Sequence, residues 1–245
     1  MFIYKFYPTE ERAKLALKLG EVQKISDIYN PNPFEIWKTV EIKKEINYHQ
    51  TIILFFNNKS GKLADKTVRQ ALNYAIDKSG ANLERSLSPI SPQSWAYNPQ
   101  VKNYNYDLNK AKETFKNEKT DYQIKLYSTP VLISMADKIA KDWQAVGVQT
   151  SVIASPGIPA EFDAFLATLD IPNDPDQYSL WHSTQIGTNI SGYQSQRIDK
   201  LLEDGRSELN LEARKKTYLD FQRYLIEDCP AVFLYHPTVY TIERK

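Results

Sequence analysis

Apolar residues along the chain fall into alternating strand-length and helix-length segments. FIYKFY (2–7) is an apolar run that predicts a strand. Thr9 then caps a short helix, with Glu10 and Glu11 in its first turn and Gly20 just past its end. VQKISDI (22–28) has strand character, and the mixed stretch 30–50 opens with NPNPF, whose two prolines exclude regular structure there. TIILFF (51–56) is a continuous apolar run, the pattern of a strand covered on both faces. In DKTVRQALNYAIDK (65–78), Asp65 caps a helix whose apolar stripe is Val68, Ala71, Leu72, Ala75 and Ile76.

The tract 86–107 holds three prolines and four aromatics and predicts irregular chain. Asp107 caps a helix carrying Leu108, Ala111 and Phe115, and YQIKLYS (122–128) alternates as a strand. Pro130 starts a helix with Leu132, Met135, Ala136, Ile139, Trp143 and Val146 on one face, closed by Gly147. VQTSVIA (148–154) and FDAFLATL (162–169) are strand segments. A loop rich in Pro, Asp, Ser and Gly follows over 170–192. Helices are predicted at 195–205 and, behind an Asn210 cap, at 210–227; AVFLY (231–235) closes as a buried strand. This alternation predicts an α/β fold, a mixed and mostly parallel sheet flanked by helices.

Composition narrows the function classes. The 245 residues are 42% hydrophobic and 25% charged, ordinary globular values. A net charge of +1, with no run of five like charges, argues against a nucleic-acid partner. No apolar stretch approaches the ~18 residues of a membrane span, and MFIYKFYPTEE lacks the features of a signal peptide. Cys229 stands alone, so no internal disulfide forms, and its setting between a helical pattern and an apolar run predicts a buried, inert thiol.

Candidate chemistry concentrates in LDIPNDPDQYSLWHSTQ (169–185), which brings Asp170, Asp174, Asp176 and His182 together in sequence. Asp174 and Asp176 also suit turn caps through Asx bonds. A calcium loop would need a Gly and a Glu at positions where none stand. His49, His182 and His236 lie in different segments, so no metal site is predicted. No nucleophile elbow, phosphate loop or zinc-protease motif occurs, and no cofactor is implied. A rival reading is an enzyme fragment using Asp170, Asp174 and His182 for acid/base work. The connections at 86–107 and 170–193 also hold Trp95, Tyr97, Trp181 and Tyr193, on loops that follow strands, where ligands of α/β layers bind. Asn189 and Tyr193 add neutral hydrogen-bond groups.

FFNN (55–58) followed by DKTVRQALNYAIDK resembles a signature of the extracellular solute-binding proteins, family 5, of peptide and nickel ABC importers. The segments SPISPQSWAYNPQVKNYNYDLNKAKETF, FDAFLATLDIPNDPDQY and RIDKLLEDGRSELNLEARKKTYLDFQRYLIEDCPAVFLYHP resemble later stretches of that family, in the family's order. The resemblance implies that 1–245 is one α/β lobe of a two-lobed, periplasmic-binding-protein-like (type II) protein. It also implies that the first lobe is absent and that Met1 is a start added at the cut, the alternative being a genuinely short reading frame. It implies no enzyme activity, capture of a peptide or other small polar ligand between lobes, delivery to a membrane permease, and an extracytoplasmic lipoprotein parent. By position Asp170 matches the residue that pairs with a peptide's α-ammonium, with Asp174 as the alternative register. Two departures leave the ligand open. The few residues before Asp170 hold no Trp, being Phe165, Leu166, Ala167 and Thr168, and no Lys or Arg between 160 and 185 is present to hold a C-terminal carboxylate.

Overall fold

The computed structural model of the chain describes residues 3–79, 83–116 and 122–245. In chain order the strands are β1 (Lys24–Ile28), β2 (Val40–Ile46), β3 (Gln50–Phe56), β4 (Glu84–Arg85), β5 (Gln123–Ser128), β6 (Gln149–Ala154), β7 (Ala164–Asp170), β8 (Ala231–His236) and β9 (Thr238–Arg244). The helices are α1 (Glu10–Leu19), α2 (Lys66–Ala75), α3 (Leu108–Lys116), α4 (Ile133–Gln144), α5 (Tyr178–Trp181), α6 (Gln196–Ser207) and α7 (Leu211–Asp228). They form two compact units, one running through Asn47 and resumed by His236–Lys245, the other spanning Tyr48–Tyr235.

The first unit is a three-stranded antiparallel sheet, β1-β9-β2, with α1 beside it. Its core is small: Leu17, Ile25, Ile28, Phe34, Val40 and Ile242. Thr9 and Gly20 cap α1 as the sequence predicts, Gly20 at a left-handed φ of 77°. FIYKFY behaves differently. Phe2 lies outside the described residues, and residues 3–7 form no strand, with Phe6 95% exposed. Apolar residues alone do not make a strand when no neighbour offers a ladder. The sequence reading also missed β2 and β9. In β2 the charges of VEIKKEI mask the alternation, because only one face of this strand is covered.

The second unit holds a six-stranded sheet in the order β4-β8-β3-β7-β5-β6. β5 pairs parallel with β6 and β7, while β3 runs antiparallel to β7 and β8. TIILFF is buried because helices cover both faces. Phe56 stacks on Trp143 of α4 at 6.2 Å, and Phe55 meets Trp181 of α5 at 6.1 Å. Trp143 Nε1 donates to Leu72 O at 3.0 Å and so ties α4 to α2.

The VRQAL helix is held at both ends. Asp65 accepts from the Thr67 amide at 2.7 Å. Arg69, 4% exposed, donates to four main-chain carbonyls: Leu63 (2.8 Å), Ala64 (2.7 Å), Asp228 (2.7 Å) and Cys229 (3.0 Å). The last two close the end of α7, where Cys229 adopts a left-handed φ of 53°. Cys229 is fully buried, and burial pushes its thiol up to about 11. The helix ends sooner than its apolar stripe because Lys78 folds back and donates Nζ to Asn73 O, Ile76 O and Tyr104 O.

Candidate functional site

At the carboxyl ends of the parallel strands of the second unit's sheet, main-chain groups are left exposed by a mismatch in strand length. β5 stops at Ser128, opposite Leu166 of β7, because Pro130 two residues later cannot extend it. Thr129 N donates to Leu166 O at 3.1 Å as the chain turns away. β7 runs on through Ala167, Thr168 and Leu169 to Asp170, paired there with β3 alone, Asp170 lying opposite Gln50. A strand residue points its N–H and C=O to one side, and successive residues alternate. Ile171 N bonds His49 O on the β3 side, so Leu169 and Ala167 also face β3. Thr168 and Asp170 therefore present their main-chain groups to the side that β5 has left. The buried Thr129 hydroxyl, without a hydrogen-bond partner, lies beside this opening in the chain.

Asp170 is exposed at the end of this open edge. Its carboxylate accepts from Gln50 Nε2 at 2.8 Å, a neutral partner that orients it, and it forms no ion pair among the described residues. The arrangement can take an extended main chain on Thr168 and a cation on Asp170.

Asp174 and Asp176 are committed to protein partners. Asp174 forms a bidentate pair with Arg214 (2.8 and 3.2 Å) and accepts the Asp176 amide at 2.9 Å. Burial raises its carboxyl, but Arg214 and that amide outweigh burial and hold it below the usual carboxylate range. Asp176 accepts the Tyr178 amide at 3.0 Å and Arg206 Nε at 2.8 Å, the turn role read from the sequence.

Arg214 also lies over the ring of Trp95 at 5.6 Å. The tract 86–107 and the loop after β7 therefore meet on this guanidinium. Trp95 is 37% exposed there, and Tyr97 is half-buried, with its phenol raised by burial and then by Glu84.

The remaining sequence candidates are internal. Asn189 is buried and donates to Tyr193 O at 2.8 Å while accepting from the Ser191 hydroxyl. Tyr193 is buried too, its hydroxyl 2.5 Å from Asp228 Oδ2; burial and then that carboxylate raise the phenol. Trp181 packs between Phe55 and Phe233. Their polar and aromatic character serves the core under the loop, a use that composition cannot distinguish from ligand binding. His182 stacks on Tyr178 at 4.1 Å, with Thr184 Oγ1 at 2.8 Å and Glu203 Oε1 at 3.3 Å. Asp170, Asp174 and His182 thus each have separate partners. Among the described residues no three His, Cys, Asp or Glu groups come together to hold a metal ion, and no described helix is long and apolar enough to cross a membrane.

Sequence reading missed Thr168 and Gln50. The signal was there: a strand stopped by Thr129-Pro130 must end short of a neighbour that runs on to Asp170.

Comparison with known proteins agrees with this architecture. The family model for bacterial extracellular solute-binding proteins, family 5 Middle, matches residues 1–189. Oligopeptide-binding protein AppA of Bacillus subtilis is 26% identical over 96% of this chain and 50% of its own length. Heme-binding protein A of Haemophilus influenzae is 29% identical over 74% of this chain and 38% of its own. NikZ of Campylobacter jejuni, solved in complex with Ni(L-His), superposes with a TM-score of 0.86 at 27% identity, covering 96% of this chain and 55% of that one. The chain spans about half the length of the curated relatives it matches. With the family model covering most of its residues, the chain belongs to the bacterial extracellular solute-binding proteins, family 5.

Proposed function

We propose that this chain supplies the ligand-holding edge of the substrate-binding component of an ABC importer. In this reading it acts without catalysis, outside the cytoplasm, and hands its ligand to a membrane permease. The observation that supports it most is the open stretch of β7 at Thr168–Asp170, a strand edge ending in an exposed carboxylate. Such an edge recognises a peptide by main-chain pairing, and a terminal carboxylate recognises the ligand's α-ammonium by a charge-assisted bond. The oligopeptide- and dipeptide-binding relatives fit this ligand class. A second lobe, supplied by the other half of a relative-length protein, would close over the ligand and complete its contacts.

Calorimetry of tri-alanine and N-acetyl-tri-alanine with the intact, relative-length protein tests the reading. The free peptide should bind, and acetylation should remove most of the affinity. Asp170→Asn should weaken binding of the free peptide, by ~2–5 kcal/mol if closure desolvates the pair, and Asp176→Asn should matter less. Greater damage from Asp176→Asn would refute the assignment. The 245-residue chain alone should bind far more weakly, since half the contacts cannot offset the cost of ordering a flexible ligand.

A further inference from the structure

The two edges of the six-stranded sheet are built differently. β4 forms one edge; it is two residues long, Glu84 and Arg85, and both are charged. Short length and charge are the usual protection of a sheet edge against pairing with another chain. β6 forms the other edge, with six residues, QTSVIA, and it has neither protection. No charged residue occurs between Asp142 and Glu161, and Thr150, Val152 and Ile153 favour strands.

The direction of its free groups is fixed by its pairing with β5. Gln149 N donates to Tyr122 O and Ser155 N to Ser128 O, so the odd-numbered residues face β5. Thr150, Val152 and Ala154 turn their N–H and C=O outward. Beside this edge an open cleft of about 710 Å³ runs along α4, lined by Asp137, Lys141, Gln144, Gln149, Thr150 and Val152. The Thr150 hydroxyl is buried there without a partner. Asp137 and Lys141 stand one turn apart on α4 and form no ion pair with each other or with any other described residue.

We propose that the β6 edge is a self-association surface, on which a second copy of this chain pairs antiparallel through its own β6. A two-fold axis at Ser151 sets Thr150 opposite the partner's Val152 and Val152 opposite the partner's Thr150, so the outward groups of these two residues find their complements. The same axis reverses α4 and brings each Asp137 towards the partner's Lys141. A surface with one acid and one base spaced along a helix is complementary to itself under a two-fold, as an isologous interface requires. A ligand strand of another protein would need no such arrangement of charge. The pairing joins two six-stranded sheets into one continuous sheet.

Sedimentation of the 245-residue chain tests this, with Thr150→Pro as the disrupting variant. The Thr150 N–H points outward, so proline removes no internal bond, and the far-ultraviolet circular dichroism should be unchanged. Self-association should weaken roughly tenfold or more, since two intermolecular bonds are lost by symmetry. Ser151→Cys supplies a second readout. At the axis, position 151 faces its own copy in a non-hydrogen-bonded pair, a spacing that suits a disulfide. Diamide should link Ser151→Cys into a covalent dimer much faster than it links the exposed Ser207→Cys. A monomer at all concentrations, a dimer insensitive to Thr150→Pro, or equal cross-linking at both cysteines would overturn the proposal.

Discussion

Replacing Arg69 with lysine keeps the charge and removes the fork, and the structure sets the cost. The guanidinium reaches two pairs of carbonyls on opposite sides, Leu63 and Ala64 ahead of α2, and Asp228 and Cys229 at the end of α7. A lysine ammonium is a single point on a flexible stem and can serve one pair but not both. One buried and one part-buried carbonyl then lose their donor, at about 1–3 kcal/mol for the buried one and about 1 kcal/mol for the other, or about 2–4 kcal/mol together. In a unit of this size that corresponds to a fall in melting temperature of roughly 5–15 °C. Urea unfolding followed by tryptophan fluorescence measures it directly, because Trp143 and Trp181 are both fully buried. Arg223→Lys is the control, since that side chain is half exposed, pairs with Asp220 and lies over the ring of Tyr224, and holds no buried carbonyl. A loss for Arg69→Lys below about 0.5 kcal/mol, equal to the control, would refute the argument that one side chain closes both helix ends.

Three further outcomes are expected. A Cβ at Gly205 would lie 2.8 Å from Cζ of the buried Tyr218, so Gly205→Ala should cost ~1–3 kcal/mol despite its better helix propensity; a rise in melting temperature would contradict this. Burial lowers the Lys78 amine to about 7, against ~10.4 in the unfolded chain. The unfolded state then holds the extra proton between these values, so this contribution is complete above the unfolded value and is lost as pH falls to about 7. Urea midpoints should accordingly rise with pH across that window, and Lys78→Met should flatten the rise. Asp174→Asn breaks a pair whose carboxylate is 58% exposed, so denaturant unfolding should show a loss under about 1 kcal/mol; a cost above ~2 kcal/mol would mean that Arg214 organises the whole loop.

Periodicity and caps made the second unit legible. Asp65, Asp107 and Asn210 mark helix starts there by local hydrogen bonds that need no knowledge of tertiary structure, as Thr9 does in the first unit. TIILFF was readable because a strand covered on both faces has no polar alternation to interpret. β2 and β9 were not read, since a half-exposed strand tolerates charges at any solvent-facing position. At the candidate site the sequence supplied Asp170 but could not separate it from Asn189 and Tyr193. All three are polar residues in one loop region, and only packing determines which of them face inward. The open edge at Thr168 depends on a difference in length between two strands, which is a relation between segments and not a property of either.

The solitary thiol of Cys229 sits where Arg69 draws the end of α7 against α2, with no path to solvent and its ionisation suppressed by burial. A thiol reagent can reach it only when that junction parts. Labelling kinetics of the unmodified chain therefore act as a clock for the opening of this junction, read at a single atom. Where reclosing is fast, the rate divided by that of a free thiol gives the free energy of opening, and its dependence on denaturant gives the area exposed. Comparing that free energy with the global value would show whether the α2–α7 seam is the last part of the unit to yield or the first.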